Sequence, residues 1–221
     1  MLDAVLFDWG NTLVHLEWDD ELVAAGHRAG LGRDDPDFTA RWRELILNGG
    51  RYRPYEELLA ELGVDDPDEF IDREHAIWRP QYAVLASSQA LLESLRDRGL
   101  KTGLVANSWP DPGRVLRADA EALGLAPLLD VMVFSADAGA RKPEAEIFLR
   151  ACAELAVDPA AVLFVGDDPV NDVKGPANVG MRTAQALWFT ADESPEVEPD
   201  FQAFTAMDVL NIAARLARSS D

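Results

Sequence analysis

Residues 160–189 read AAVLFVGDD, PVNDVKGPANVG and MRTAQALWF in succession, and the fold follows from them. The first segment is an unbroken apolar run that ends in two acids, Asp167 and Asp168. A run without polar alternation marks a strand buried on both faces. The second segment is interrupted by Gly and Pro and predicts a short helix. The third predicts another strand. Strand, helix and strand within about thirty residues make a parallel crossover unit.

The same alternation extends outward. Upstream lie a helix, PEAEIFLRACAELAV, with Pro143 near its start where proline is tolerated, and a strand, DVMVFSAD. Before them come a helix, GRVLRADAEALG, a strand, KTGLVANS, and a helix, ALLESLRDRG, ended by Gly99. Asp3 to Asp8 forms a further strand that turns at Trp9-Gly10-Asn11. Downstream, an acidic loop, ADESPEVEPD, precedes a last helix, MDVLNIAARLAR. The expected fold is α/β, a doubly wound parallel sheet covered on both faces.

From Glu17 to Tyr82 the pattern changes. ELVAAGHRAG, FTARWRELIL, YEELLAELG and DEFIDREHAIW all carry helical periodicity, with breaker-rich stretches between them and no strand. Trp42, Leu45, Ile46, Leu58, Leu59, Phe70 and Trp78 fall at helical spacing and predict the core of this insert. The expected organisation is a core of residues 1–15 and 85–221 with a small all-helical domain at 16–84.

The 221 residues, 48% hydrophobic, suffice for one core and a smaller satellite. A net charge of −20 repels nucleic-acid phosphate and anionic lipid. No segment is long and apolar enough to cross a bilayer, and no leader precedes the first strand, so a cytoplasmic location is expected. The single cysteine, Cys152, sits in an apolar helical pattern and reads as a small buried hydrophobe. No Cys/His box points to zinc, and no Gly-x-Gly-x-x-Gly follows the first strand. The oligomeric state is left open.

In a parallel sheet the carboxyl ends of the strands meet along one edge, where ligands bind. Here those ends carry Asp8, then Asn107-Ser108, then Arg141-Lys142, then Asp167-Asp168 with Asp172 a turn later. Four carboxylates gathered there repel one another unless protonated or neutralised by a cation. Hard oxygen ligands without His or Cys suit Mg²⁺. Phosphoryl transfer needs such charge neutralisation, and a carboxylate can serve as its covalent nucleophile.

Asp8-Trp9-Gly10-Asn11-Thr12, Ser108, Lys142-Pro143 and Gly166-Asp167-Asp168 with Asp172 resemble, in order, the four motifs of the haloacid dehalogenase (HAD) superfamily. The branch resembled is subfamily I, with a helical C1-type cap after the first motif and a HAD-like Rossmannoid core. The resemblance implies that Asp8 attacks phosphorus, Ser108 hydrogen-bonds the phosphoryl oxygens and Lys142 bridges the two. It implies that Asp8, the carbonyl of Gly10 and Asp167 hold Mg²⁺, with Asp168 or Asp172 binding directly or through water. The substrate would be a small phosphorylated metabolite. Asn107, Trp109, Arg51 and Arg53 are candidate substrate contacts, and Arg141 is either a phosphate neighbour or a surface charge.

One position departs from the pattern. Gly10 stands where phosphatases of this family carry the aspartate that protonates the leaving group and activates water. Losing a positioned acid/base costs about a hundred- to ten-thousand-fold in rate. Phosphonatases use a cap lysine, and none occurs from Leu16 to Ser88. Dehalogenases lack the acidic fourth motif, and P-type pumps need membrane helices. A phosphohydrolase with a substitute acid, or one with a slow reaction or a good leaving group, remains, His15 being the nearest candidate acid and His27 and His75 further off. The alternative is an impaired or regulatory member that binds metal and phosphate with little turnover; phosphotransfer or phosphomutase activity comes third.

Overall fold

A computed structural model describes residues 1–15, 17, 19–49, 53–84, 86–108, 110–189 and 197–218. The chain opens with β1 (Ala4–Phe7) and β2 (Val14–His15), followed by helices α1 (Asp20–Leu31), α2 (Phe38–Leu47), α3 (Tyr55–Glu61) and α4 (Pro67–Trp78). Then come β3 (Ala83–Val84), α5 (Ala86–Asp97), β4 (Lys101–Ala106), α6 (Gly113–Ala122), β5 (Val131–Phe134), α7 (Ser135–Ala138) and α8 (Ala145–Leu155). The chain ends with β6 (Val162–Gly166), a π-type turn at Pro169–Lys174, α9 (Gly175–Ala177), β7 (Arg182–Ala186), β8 (Phe201–Ala203) and α10 (Ala206–Arg218).

Six strands form one sheet in the order β5-β4-β1-β6-β7-β8, every neighbour parallel. β1 lies between β4 and β6, with Phe7 paired to Leu104 and Val165. All four of its residues are fully buried, which is why its sequence is apolar throughout. Separate apolar clusters cover the two faces: Val5, Phe7, Leu92 and Val209 in one, Leu6, Phe148, Cys152 and Phe164 in the other. Cys152 is buried as expected.

The strand-helix alternation is present, with differences at element ends. The strand read in DVMVFSAD stops at Phe134, and Ser135–Ala138 coils into a helical turn closed by left-handed Gly139. Pro143 precedes α8, which begins at Ala145 after Glu144. β8 was not foreseen: three residues at the sheet edge, Phe-Gln-Ala, carry too little pattern to announce a strand. Among the described residues no helix is long and apolar enough to cross a membrane.

Helices α1–α4 share a third apolar cluster containing Phe38, Ile46, Tyr55, Leu58, Leu59 and Phe70, with Trp42 and Leu45 packed against it. Trp78 is buried against α1. Two glycines let α1 and α4 approach: a Cβ at Gly26 would lie 2.4 Å from Trp78, and one at Gly30 would lie 2.6 Å from Phe70. The insert begins and ends at the two-stranded antiparallel ribbon, where Val14 pairs with Val84 and His15 with Ala83.

Candidate active site

β1 delivers Asp8 one residue past its last ladder pair, and the Asp8 N–H donates to the Val165 carbonyl at 2.9 Å. Lys142 Nζ donates to Asp8 Oδ1 at 2.5 Å and to Asp172 Oδ1 at 2.6 Å. Three segments far apart in sequence thus meet at one ammonium, which is buried. Burial pushes the Lys142 ammonium down, but Asp172 and Asp8 outweigh it and leave its pKa above the ordinary lysine value. Burial raises Asp172 to about 7, with Lys142 opposing and Asp8 adding to the rise. Asp8, Asp167 and Asp172 each offer a carboxylate oxygen, all within 4.8 Å of one another. Three carboxylates against one ammonium leave an excess of negative charge, and the donors are hard oxygens. The group fits a divalent cation.

Close backbone approaches hold this arrangement. Gly166 ends β6 directly beneath Asp172, where a Cβ would come within 2.5 Å of the aspartate's own Cβ. Gly175 lets Phe148 and the Pro143 backbone close in, at 2.9 and 3.0 Å from the position of a Cβ. The Asp168 N–H donates to Asp172 Oδ2 at 3.1 Å. Asp168, a candidate ligand directly or through water, lines the Asp8 cavity, and its Oδ1 accepts from the N–H groups of Val170 and Asn171 at 2.8 and 2.7 Å. It caps the turn, and it stands outside the three-carboxylate group.

Asn107, a candidate substrate contact, lines the cavity around Asp8; its Oδ1 accepts from the Lys142 N–H at 2.9 Å and its Nδ2 donates to the Lys142 carbonyl at 3.1 Å. It clamps the backbone that carries the lysine. The Ser108 Oγ accepts from the Ala136 N–H at 3.1 Å and lies 3.4 Å from Ser135 Oγ. Ala106 and Asn107 line the cavity around Asp8, about 350 Å³ in volume, while Ser108 lines a neighbouring one of about 540 Å³. Arg53 and Arg141 border that larger cavity, and Arg53 is paired with Glu61 at 2.8 Å. Arg51 and Trp109 lie outside the described residues.

Gly10 is exposed at the Asp8 cavity, and a Cβ there meets nothing within 4 Å. His15 does not reach into this space. Its Nδ1 lies 2.8 Å from Asn11 Oδ1, and its ring stacks on Phe189 at 4.6 Å. Asn11, in the left-handed region at φ 52°, in turn donates from Nδ2 to Asp167 Oδ2 at 3.2 Å. His27 is buried in the insert among Phe38, Trp42 and Phe70, its pKa pushed down to about 4 by burial and Arg43.

His75 occupies the joint between α4 and α6. Its Nδ1 lies 3.1 Å from Asp119 Oδ2 and its Nε2 lies 3.2 Å from Asp111 Oδ1. Arg79 Nε donates to the other Asp119 oxygen at 2.6 Å. Burial pushes the His75 imidazole down, but Asp111 and Asp119 outweigh it and raise it to about 10. Glu74 is fully buried beside them, held well above the usual carboxylate range by burial and by Asp111. Asp111 and Tyr82 both line the Asp8 cavity. Asp111 carried no signal in the sequence, since its histidine lies in the insert and its position opens a loop.

Residues 2–180 match the haloacid dehalogenase-like hydrolases, and the chain belongs to that family. It is 32% identical to the N-acetylmuramic acid 6-phosphate phosphatase of Pseudomonas aeruginosa, over 83% of this chain and 80% of that one. It is 26% identical to the glyceraldehyde 3-phosphate phosphatase of Methanopyrus kandleri, over 99% of this chain and all (100%) of that one. The crystal structure of a HAD phosphatase from Thermococcus onnurineus superposes with a TM-score of 0.73 at 26% identity, covering 96% of this chain and 97% of that one. The chain is a HAD-like hydrolase with phosphatase relatives.

Proposed function

We propose that the chain is a Mg²⁺-dependent phosphohydrolase that removes the phosphoryl group from a small phosphorylated metabolite through an aspartyl phosphate at Asp8. The observation that carries this reading is Lys142 Nζ bridging Asp8 and Asp172 beside Asp167. Asp8, Asp167, Asp172 and the Gly10 carbonyl would hold the metal, which supplies charge neutralisation for the phosphoryl oxygens. Asp8 attacks phosphorus while Lys142 balances charge on the nucleophile and the transferring group. Asn107 positions that lysine. Residues 16–84 act as a cap over the strand ends, excluding water from the crevice. The named relatives act on phosphate esters of small metabolites, and the same class is assigned here.

Gly10, and a Ser108 that lines the neighbouring cavity and not the one around Asp8, favour a second reading, a low-turnover member that holds metal and phosphate. One assay separates the two. Wild type, Asp8→Asn and Gly10→Asp are measured on an aryl phosphate and on a metabolite panel, with Mg²⁺ and with chelator. We expect Asp8→Asn and chelated wild type to be inactive. Because the space beside Gly10 is open, Gly10→Asp should match or exceed wild type on alkyl phosphates. A common background rate in all three proteins would refute the enzymatic reading.

A further inference from the structure

We infer that Asp111, backed by His75, is the acid/base that replaces the carboxyl missing at Gly10. The inference rests on the phosphohydrolase reading above. Alkyl phosphates expel a poor leaving group, so their cleavage needs a proton delivered as the P–O bond breaks. A donor must therefore reach the cavity that holds Asp8.

The other acids of that cavity are engaged. Asp8 and Asp172 face Lys142, Asp167 accepts from Asn11, and Asp168 caps its turn. His15 is absorbed by Asn11 and Phe189. Tyr82 lines the cavity, but burial drives its phenol further above the ordinary value and leaves it a poor acid. Asp111 remains, a carboxylate that shares the cavity with Asp8 and Gly10 and takes no part in the three-carboxylate group. Behind it runs a carboxylate–imidazole–carboxylate row: Asp111 Oδ1 to His75 Nε2 at 3.2 Å, and His75 Nδ1 to Asp119 Oδ2 at 3.1 Å. Arg79 anchors the far end at 2.6 Å. Asp119 hydrogen-bonds the His75 Nδ1 and Asp111 stands at ion-pair distance from Nε2, so the imidazole lies between two carboxylates and His75 serves as the positioning residue.

The chemistry balances with water as the only co-reactant. An Asp8 oxygen attacks phosphorus, and the P–O bond to the alcohol breaks with its electron pair on the leaving oxygen. The proton held by the Asp111–His75 pair passes through Asp111 to that oxygen. In the second half Asp111 takes a proton from water as the water oxygen attacks phosphorus. The P–O bond to Asp8 then breaks, its electron pair returns to the carboxylate, inorganic phosphate forms and the pair is reprotonated. Because His75 belongs to α4 and Asp111 to the loop before α6, the row is complete only with the insert seated on the core.

The test compares leaving groups. Wild type, Asp111→Asn, His75→Gln and the double variant Gly10→Asp/Asp111→Asn are assayed with Mg²⁺ on an alkyl phosphate and on a dinitrophenyl phosphate. We expect Asp111→Asn to lose about a hundred-fold or more on the alkyl ester and far less on the dinitrophenyl ester. Dinitrophenol should appear in a burst, since the second half-reaction also loses its base. Gly10→Asp should restore alkyl turnover in the Asp111→Asn background. His75→Gln should move the basic limb of the pH–rate profile. Glu74, Tyr55 and Tyr82 share the field of Asp111, and Asp119 and Arg79 face His75 from the other side, so these groups are kept intact. Equal slowing on both esters, or no rescue by Gly10→Asp in a variant with wild-type circular dichroism, would overturn the assignment. If wild type turns over neither ester, the phosphohydrolase reading falls and takes this one with it.

Discussion

Gly166 shows how little room the site leaves at the level of single atoms. It is the last residue of β6, and the Asp172 side chain sits where its Cβ would be, with Oδ2 2.6 Å from that point. Gly166→Ala must push Asp172 away from Lys142 or bend the strand end. We expect a loss of about 1–3 kcal/mol in stability, the range for overpacking, together with weaker Mg²⁺ binding. A thermal melt and a metal titration read the two effects separately; an unchanged titration would show that Asp172 does not ligate. Asp8, Lys142, Asp167 and Asp172 were legible in the sequence because each follows an apolar strand of the same sheet. The side-chain directions of Asn107, Ser108 and Asp168 were not legible. Whether a polar residue at a strand end faces the crevice or the backbone is set by one or two dihedrals, and no residue pattern encodes them.

Among the elements, the α1–α4 contact is the tightest in the insert. Gly26 and Gly30 let Trp78 and Phe70 lie directly on the α1 backbone. Gly30→Ala would raise helix propensity by roughly 1 kcal/mol and still destabilise, because its methyl would sit 2.6 Å from the Phe70 ring. The expected outcome is a lower melting temperature with a near-normal Mg²⁺ affinity, measured by calorimetry and titration, since the proposed ligands Asp8, Asp167 and Asp172 all lie outside α1–α4. Periodicity located these four helices and the apolar residues that join them. It did not locate β8, whose three residues are held in place by β7 and carry too few alternating positions to be seen.

For the whole molecule, the joint between insert and core is an ionic one with a defined pH response. His75 is raised to about 10 from 6.5, so its stabilising charge is fully present below pH 6.5. That contribution fades as the pH rises and is gone above about 10. Glu74, also raised, acts in the same direction, whereas His27, lowered to about 4, costs stability as the pH falls from 6.5 toward 4. Above pH 6.5, where His27 no longer contributes, the melting temperature of wild type should therefore fall steadily toward pH 10. His75→Gln should flatten that alkaline slope in a differential scanning series, and a parallel slope in both proteins would remove His75 from the joint. The joint was hidden in the sequence because its members, residues 74–79 and 111–119, become neighbours only after the insert folds back over α6.

The ribbon of Val14 with Val84 gives the insert a single doorway. The chain leaves the sheet and returns to it at one point, so everything between is a detour that no strand of the core has to cross. Closing such a detour is cheap: each doubling of its length adds only about 0.6 kcal/mol of entropy. The architecture can therefore exchange one insert for another of different size while the acids and the lysine at the sheet edge keep their places.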